Sequence, residues 1–189
     1  MEKKTIKING NEIDIFKKKA PRDYIIYTAV IMIGIFLDQL TKYLSVAYLK
    51  AVDTVPLIKD VLHLTYVENR GAAFGMLKDH RWVFIVISTV AIIGMILYLY
   101  LGHASNMLYG VSLAMVISGG IGNMIDRLVL GYVIDFIDFR LINFAVFNGA
   151  DSFVCVGAGL LILTLVLEIV KEMKDERAKR EAQVGDDES

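Results

Sequence analysis

The stretch GGIGNMIDRLVLGYVIDFIDF, residues 119–139, begins as membrane-like sequence and then becomes charged. Small and apolar residues lead into five polar side chains, which are Asn123, Asp126, Arg127, Asp135 and Asp138. A charge at the centre of a membrane helix costs roughly 2.5–3.5 kcal/mol on insertion scales. A chain with a net charge of -1 therefore needs a specific reason to place so many ionisable groups beside an apolar segment.

The apolar residues of the 189-residue chain are concentrated in long runs. Residues 82–101 carry no charge over 20 positions, enough for a helix to cross a hydrocarbon layer of about 30 Å. Further spans are predicted over residues 24–44, 107–125 and 150–169. The first span is too long for a signal peptide and lacks a small-residue cleavage site, so we expect it to be retained. The sequence predicts an α-helical integral membrane protein, a bundle of four transmembrane helices.

Basic residues are concentrated at the two ends of the chain. Seven Lys or Arg residues lie within residues 1–22 and five lie after residue 170. Because positive charge favours the cytoplasmic side, we expect both termini in the cytoplasm and the two longer loops outside. The predicted organisation is a mobile cytoplasmic extension over residues 1–22, a four-span membrane domain over 23–170 and a charged cytoplasmic tail over 171–189.

Two segments on the outer side have the character of strands. Residues 61–69, VLHLTYVEN, alternate in side-chain type with the period of two that is typical of a strand. Residues 131–139, GYVIDFIDF, are rich in β-branched and aromatic residues. We expect these two segments to form a small extracytoplasmic β-element on the membrane face.

Four clusters of polar residues converge on the outer leaflet in this topology. They are Asp38 with Lys42 in the first span, Asn69 with the glycine-rich turn after it, Asn123, Asp126 and Arg127 followed by Asp135, and Asn148 with Asp151. Asp38 and Lys42 stand four apart and can pair on one helix face. Asp126 beside Arg127 is typical of a fixed ion pair. Four groups at one depth indicate a site, although hydrogen-bonded polar contacts between helices would also explain them.

The residue types in these clusters favour carboxylate chemistry. The three histidines are isolated, and the sequence has no HExxH, GxSxG or P-loop motif. Two aspartates held close in a low-dielectric site share a proton, so one can activate water while the other protonates the carbonyl and later the leaving amine. This chemistry needs no metal. Asp135 and Asp151 are the candidates, with Asp126 as the competitor, whereas Asp138 falls on the opposite strand face from Asp135.

Five motifs together resemble those of bacterial lipoprotein signal peptidase, also called signal peptidase II. They are DQLTK (38–42), NRGAAFG (69–75), GGIGNMIDR (119–127), GYVIDFID (131–138) and FNGADS (147–152). The resemblance covers about residues 24–170 and implies an aspartic endopeptidase of the bacterial cytoplasmic (inner) membrane. Such an enzyme removes the signal peptide from diacylglyceryl-modified prolipoproteins, on the N-terminal side of the lipidated cysteine. The resemblance also implies a four-helix membrane bundle with a small extracytoplasmic β-element.

The resemblance implies that Asp135 and Asp151 are the catalytic pair. It further implies a polar shell that positions this pair and the substrate backbone, consisting of Asp38, Asn69, Asn123, Arg127 and Asn148. Lys42, Gly71 and Asp126 belong to the same clusters and complete the predicted shell. We expect a monomer with no metal or other cofactor and no nucleic-acid partner, which meets its lipidated substrates among membrane lipids.

Other residues near these motifs have more ordinary interpretations as well. The glycines at 119, 120 and 122 could leave room for a substrate helix or acyl chains, or could serve ordinary helix packing. Cys155 is predicted to be a small apolar packing residue. Three aromatic side chains could cover the site or face the membrane, namely Phe74, Phe136 and Phe139.

Two functions from other classes are alternatives to a peptidase. A small proton-coupled transporter would use the aspartates as relay groups, but it predicts ionisable residues across the whole membrane, whereas here they gather on one side. A structural membrane subunit would use its polar groups to bind a partner, and it predicts that aspartate-to-asparagine changes affect assembly alone.

Overall fold

The computed structural model describes residues 5–8, 11–14, 19–71, 81–142 and 144–187. In these residues a short hairpin precedes four long helices, and three further strands lie in the connections between the helices. The four helices are long and apolar enough to cross a membrane. The predicted fold class, a four-helix membrane bundle with a small β-element, is confirmed.

The N-terminal hairpin is a feature that the sequence analysis did not predict. Strands β1 (Thr5–Ile8) and β2 (Asn11–Asp14) pair antiparallel, with Ile6 opposite Ile13. The Asn-Gly dipeptide at residues 9–10 is a strong hairpin signal within the segment that was predicted to be a mobile extension.

The four helices begin and end with recognisable signals. Their bounds are Pro21–Tyr48 for α1, Arg81–Tyr100 for α2, Met107–Val129 for α3 and Gly149–Asp187 for α4. Pro21 occupies the first position of α1, where its missing N–H leaves no helical bond unmade. Asn106 caps α3 by accepting a hydrogen bond from the Tyr109 N–H at 2.9 Å. The charged tail continues α4 far beyond the apolar residues.

Helix α3 is the centre of the bundle, because it packs against each of the other three helices. A cluster of buried side chains fills the space between α1, α2 and α3, consisting of Tyr27, Ile31, Ile92, Leu99, Ala104, Leu113, Ala114 and Ile117. Large apolar side chains also cover the outside of the bundle, such as Val90 and Ile162, which are 69% and 63% exposed. This inverted surface is what a bundle surrounded by lipid presents.

Small residues let α3 approach its neighbours closely. A Cβ atom added to Gly119 would collide with the carbonyl oxygen of Ala150, and one added to Gly122 would collide with the carboxylate of Asp38. A Cβ added to Gly120 would make only a tight contact with the Ile92 side chain of α2, at 3.2 Å. Of the two interpretations of these glycines, packing within the chain is the one that the structure supports.

The sheet lies at the end of the bundle where α1 ends and α4 begins, which we call the site end. Its strands are β3 (Thr54–Ile58), β4 (Leu62–Asn69) and β5 (Val133–Phe139), in that order and all antiparallel. The two strands expected from the sequence, β4 and β5, do pair, and Val67 lies opposite Asp135. Strand β3 was not predicted because Pro56 interrupts its pattern, yet an edge strand tolerates a proline.

Two backbone features return the chain from α3 to α4 by way of β5. Gly131 has a positive φ of 86° and its N–H bonds to the Asp126 carbonyl, which ends α3 in a left-handed turn. Phe147 then pairs with β5. Its N–H donates to the Ile137 carbonyl at 3.1 Å, and its own carbonyl accepts from Ile137 at 2.8 Å. The start of α4 is thereby tied to the middle of β5.

The close approach at Gly119 predicts a large effect of one methyl group. We expect Gly119→Ala to lower the free energy of unfolding by about 1–3 kcal/mol, because the new Cβ must push α3 away from α4. Thermal unfolding in detergent measures this effect. The matched control is Gly94→Ala in α2, where an added Cβ meets nothing within 4 Å. Equal melting temperatures for the two variants would contradict the packing role of Gly119.

Candidate active site

Two aspartates line one cavity of about 500 Å³ at the site end. Asp135 comes from β5 and Asp151 from the first turn of α4. The polar part of the wall consists of Asn69, Asn123, Arg127 and Ser152. The apolar part consists of Val133, residues 144–147, Cys155 and Val156. Both carboxylates therefore border space that a ligand can occupy.

Asp135 is almost completely buried, with 2% of its surface exposed. Its Oδ2 accepts a hydrogen bond from Asn69 Nδ2 at 2.9 Å, and its Oδ1 accepts one from Asn148 Nδ2 at 2.7 Å. Burial raises the pKa of Asp135 to about 6, and the negative charge of Asp151 also raises it. The hydrogen bonds from the two amides lower this pKa but do not outweigh the other two effects. Asp135 therefore keeps its proton at pH values where an ordinary aspartate is ionised.

Asp151 is held by the local structure of the helix start. Asn148 precedes the first turn of α4, and its Oδ1 accepts from the Asp151 N–H at 3.0 Å. In return, Asp151 Oδ2 accepts from the Asn148 N–H at 3.1 Å. This reciprocal pair is a capping box with Asn and Asp in the two positions. The Asn148 side chain therefore both caps α4 and binds Asp135.

Two further asparagines complete the contacts of the pair. Asn123 Nδ2 donates to Asp151 Oδ1 at 2.8 Å. The Asn69 amide is oriented by Gly71, whose N–H donates to Asn69 Oδ1 at 3.0 Å, so that Asn69 Nδ2 points at Asp135. Three asparagines from three different elements thus direct N–H groups at the two carboxylates.

Behind the asparagines lies a buried ionic cluster centred on Lys42, which is 2% exposed. Lys42 Nζ lies 2.9 Å from Asp38 Oδ2, 3.0 Å from Asp126 Oδ2 and 3.0 Å from Asn123 Oδ1. The predicted pairing of Asp38 with Lys42 is confirmed. Each carboxylate also binds backbone, since Asp38 accepts from the Ala150 N–H and Asp126 from the Ile134 N–H.

The expected ion pair between Asp126 and Arg127 is wrong. Adjacent residues of a helix point in different directions, so Asp126 faces Lys42 and Arg127 faces the cavity. The Arg127 guanidinium lies 5.1 Å from the centre of the Phe84 ring and interacts electrostatically with Asp151, Asp135 and, without direct ion-pair contact, Asp126. Asp126, the competitor for the catalytic role, is engaged with Lys42 and does not line the cavity.

The remaining aspartate of β5 lies elsewhere. Asp138 accepts from Arg140 Nε at 2.9 Å and from the Thr65 hydroxyl at 2.7 Å. Burial acts to raise the pKa of Asp138, but these two donors outweigh it and hold the pKa below its ordinary value. All ten predicted site residues, in contrast, contact one another or the Asp135–Asp151 pair.

Sequence reasoning missed Gln39 and the apolar wall. Gln39 Nε2 lies 3.2 Å from Asp38 Oδ2 and 3.0 Å from Asp126 Oδ1, and its place between Asp38 and Lys42 in the sequence was the available signal. Residues 144–147 reach the cavity only through their pairing with β5.

Cys155 differs from its expected role, and two of the three aromatic residues do not border the cavity. Cys155 is exposed and lines the cavity, so its interpretation as a buried packing residue is wrong. Phe136 and Phe139 do not line the cavity, whereas Phe144 and Phe147 do. Phe74 lies outside the described residues. Among the described residues, no group of three His, Cys, Asp or Glu side chains is arranged to hold a metal ion.

The raised pKa of Asp135 predicts how stability depends on pH. A folded-state pKa of about 6 against an ordinary value of 3.8 corresponds to about 3 kcal/mol of stability, which is present below pH 4 and lost as the pH rises through 6. Asp135→Asn removes this loss. The melting temperature of the variant, relative to that of the wild type, should therefore rise between pH 4.5 and 7.5.

The matched control is Asp138→Asn on the same strand. Its lowered pKa means that the carboxylate stabilises the fold above its ordinary pKa, so this variant should lose stability relative to the wild type as the pH rises. A difference between Asp135→Asn and the wild type that does not change with pH would contradict the raised pKa.

The chain is similar to known proteins over most of its length. The sequence model of the family described as signal peptidase (SPase) II matches residues 30–167. A lipoprotein signal peptidase of Caldanaerobacter subterraneus subsp. tengcongensis is 53% identical over 133 residues, which cover 70% of this chain and 90% of that protein. Another lipoprotein signal peptidase, from Halothermothrix orenii, is 49% identical over 136 residues, which cover 72% of this chain and 92% of that protein.

Two solved structures are similar as well. Both are described as a bacterial membrane enzyme studied by the in meso method, at 2.3 and 1.9 Å resolution, and both are 30% identical in sequence. The first superposes with a TM-score of 0.69 over 82% of this chain and 93% of that chain. The second superposes with a TM-score of 0.65 over 80% of this chain and 96% of that chain. By its sequence and by its fold, the chain belongs to the signal peptidase II family.

Proposed function

We propose that this protein is an intramembrane aspartic endopeptidase that removes the signal peptide from diacylglyceryl-modified bacterial prolipoproteins. The cut falls on the N-terminal side of the lipidated cysteine, as the motif resemblance implies. Asp135 and Asp151 form the catalytic pair. The curated relatives that the chain matches carry the name lipoprotein signal peptidase, which supports the choice of substrate class.

A single observation carries this proposal, namely that one residue, Asn148, joins the two carboxylates. Asn148 binds Asp135 through its Nδ2 at 2.7 Å and Asp151 through its backbone N–H at 3.1 Å. The two aspartates border the same cavity, and one of them is buried with a pKa of about 6. A protonated carboxyl beside an ionised one is the starting arrangement of an aspartic peptidase.

The reaction needs only water and the two carboxylates. The ionised carboxylate takes a proton from water, and the hydroxide formed attacks the scissile carbonyl carbon while the protonated carboxyl gives its proton to the carbonyl oxygen. When the tetrahedral intermediate breaks down, the C–N bond breaks and the first carboxyl returns its proton to the leaving nitrogen. The other carboxylate recovers its proton from the hydroxyl. The products are a signal peptide with a free carboxyl and a lipoprotein with a free cysteine amine.

The rest of the cavity suits a substrate that arrives through the membrane. One side of it is apolar, with Phe144, Phe147 and Val156 among its residues, and the other carries Arg127 and the asparagines. The apolar side can accept the hydrophobic end of a signal peptide or its lipid, while the asparagines that hold the carboxylates also fix their geometry. Tight positioning of this kind supplies much of the rate of hydrolytic enzymes.

The distribution of charge argues against a proton-relay function. A relay must cross the membrane, but residues 82–101 carry no charge, and in α4 no charged residue lies between Asp151 and Glu168. Glu168 itself accepts a hydrogen bond from Asn106 at the other end of the bundle. Uncharged segments therefore separate the ionisable groups at the site end from those at the other end of the bundle.

The catalytic pair can be tested with purified protein in detergent. We expect cleavage of a diacylglyceryl-modified prolipoprotein and no cleavage of the unmodified precursor. Asp135→Asn and Asp151→Asn should each reduce the rate by at least about 10³-fold, because each removes a proton-transfer group. The control Asp138→Asn, on the same strand but paired with Arg140, should keep its activity. Activity in either variant of the pair comparable to the wild type would refute the proposal.

We also propose that the protein lies in the bacterial inner membrane as a monomer, with both termini in the cytoplasm and the site end outside. If the C-terminus of the full-length protein is cytoplasmic, green fluorescent protein fused to it should be fluorescent. Alkaline phosphatase fused at the same position should be inactive. Fusions made after Asp60, in the turn between β3 and β4, should behave in the opposite way. The reverse pattern would contradict this orientation.

A further inference from the structure

We propose that Lys42 is a positioning residue for this reaction, which orients the amide of Asn123 and thereby makes Asp151 the carboxylate that activates water. The inference rests on the proposed function, and it goes further by assigning separate roles to the two aspartates. Lys42 does not line the cavity, so it acts through another residue rather than on the substrate.

The first step is that the Lys42 ammonium is fully engaged. An ammonium has three N–H donors, and three acceptors lie within 3.0 Å of Lys42 Nζ, on Asp38, Asp126 and Asn123. The side chain is 2% exposed, so water does not compete for these bonds. Each donor has one partner, and the direction of the third bond, to Asn123, is set by the other two.

The second step is that this bond, together with one from Asn148, determines which way the Asn123 amide points. Its Oδ1 accepts from Lys42 Nζ and from Asn148 Nδ2, both at 3.0 Å. A flipped amide would turn its NH₂ group towards an ammonium and a second amide donor, leaving three donors facing one another without an acceptor. Only the observed orientation directs Asn123 Nδ2 at Asp151 Oδ1, at 2.8 Å.

The third step is the resulting difference between the two carboxylates. Both carboxylates receive a donor on each oxygen, Asp151 from Asn123 and the Asn148 backbone, and Asp135 from Asn69 and the Asn148 side chain. The difference between them is burial, because Asp151 is only partly buried and interacts with Arg127. Asp135 is 2% exposed, and burial favours its protonated form. With the donors matched, burial places the shared proton on Asp135, and the Asn123 donor supports the negative charge of Asp151, the carboxylate left to accept a proton from water.

The charged groups around Asp151 come from several elements. They are Asp135 on β5, Arg127 and Asp126 on α3, and Asp38 and Lys42 on α1. Glu68 on β4 is engaged with Lys50 at 3.2 Å on the exposed side of the sheet. Lys42 is thus the cation whose connection to Asp151 runs through a single amide.

A purely structural role for Lys42, tying α1 to α3, makes a different prediction and can be separated by experiment. Lys42→Met combined with Asp38→Asn keeps the net charge of the buried cluster unchanged, because one positive and one negative charge are lost together. Asn123→Ala leaves Lys42 with both of its carboxylates but breaks the connection to Asp151. Asp38→Asn alone separates the two changes of the first variant, and Lys50→Met is the control for loss of a lysine at an exposed ion pair.

The measurement is the pH dependence of kcat/KM for cleavage of the lipidated prolipoprotein, together with the melting temperature of each variant. The acidic limb should move to higher pH by about one unit in the Lys42→Met, Asp38→Asn variant and in Asn123→Ala, because Asp151 then loses a donor. When Asn123→Ala is combined with the Lys42→Met, Asp38→Asn variant, the acidic limb of the pH profile should shift no further than it does in whichever of the two variants shifts it more. The limb should stay in place in Lys50→Met.

Three results would overturn the inference. An acidic limb that stays in place while the melting temperature falls would show that Lys42 is structural. Additive shifts in the combined variant would show that Lys42 does not act through Asn123, and a full shift in Asp38→Asn alone would assign the effect to Asp38. If the Lys42 variant does not fold, Asn123→Ala decides alone, since an unmoved limb there refutes the inference. Failure of the wild type to cleave lipidated substrate would instead refute the proposed function itself.

Discussion

One buried positive charge, that of Lys42, holds the polar end of the bundle together. Its ammonium binds acceptors from two helices, and one of these, Asp38, also binds the first turn of α4 through the Ala150 N–H. Burying an ion pair costs several kcal/mol per charge and is offset only when every donor and acceptor finds a partner. Here the ammonium has three acceptors for three donors, and both carboxylates bind backbone N–H groups as well. The charges that interrupt the apolar spans are therefore all bound within the protein, and their contacts fix the relative positions of α1, α3 and α4.

The two candidate catalytic groups reach this framework by different routes. Asp151 is part of the capping box that begins α4, so the local structure that starts the helix also sets the direction of the carboxylate. Asp135 lies on a strand, and its position depends on the pairing of β5 with Phe147, which brings strand and helix start together. Asn148 follows directly after Phe147 and closes the arrangement by binding both carboxylates. Helix capping, strand pairing and the candidate site are thus one set of hydrogen bonds.

This arrangement connects rigidity with the proposed chemistry. Close packing at Gly119 and Gly122 leaves α3 little freedom to move against α1 and α4, so the asparagine donors stay aligned with the carboxylates. The apolar wall of the cavity, from residues 144–147 and from Cys155, is built on a loop and on the exposed face of α4. A peptidase of this kind would bring a lipid-linked substrate along the apolar wall to a dyad that is already organised.

Much of the architecture follows from local sequence, while the contacts within the site do not. Four apolar runs of spanning length, the alternation in β4 and the clustering of polar residues at one end are properties of neighbouring residues, and the structure agrees with them. Strand β3 was missed because Pro56 is permitted only by its edge position, which the sequence does not display. Asp126 was assigned to the adjacent Arg127, yet its partner Lys42 is 84 positions away. Which carboxylate binds which cation depends on how α1 and α3 rotate when their small residues meet, and that rotation is decided only when the whole bundle packs.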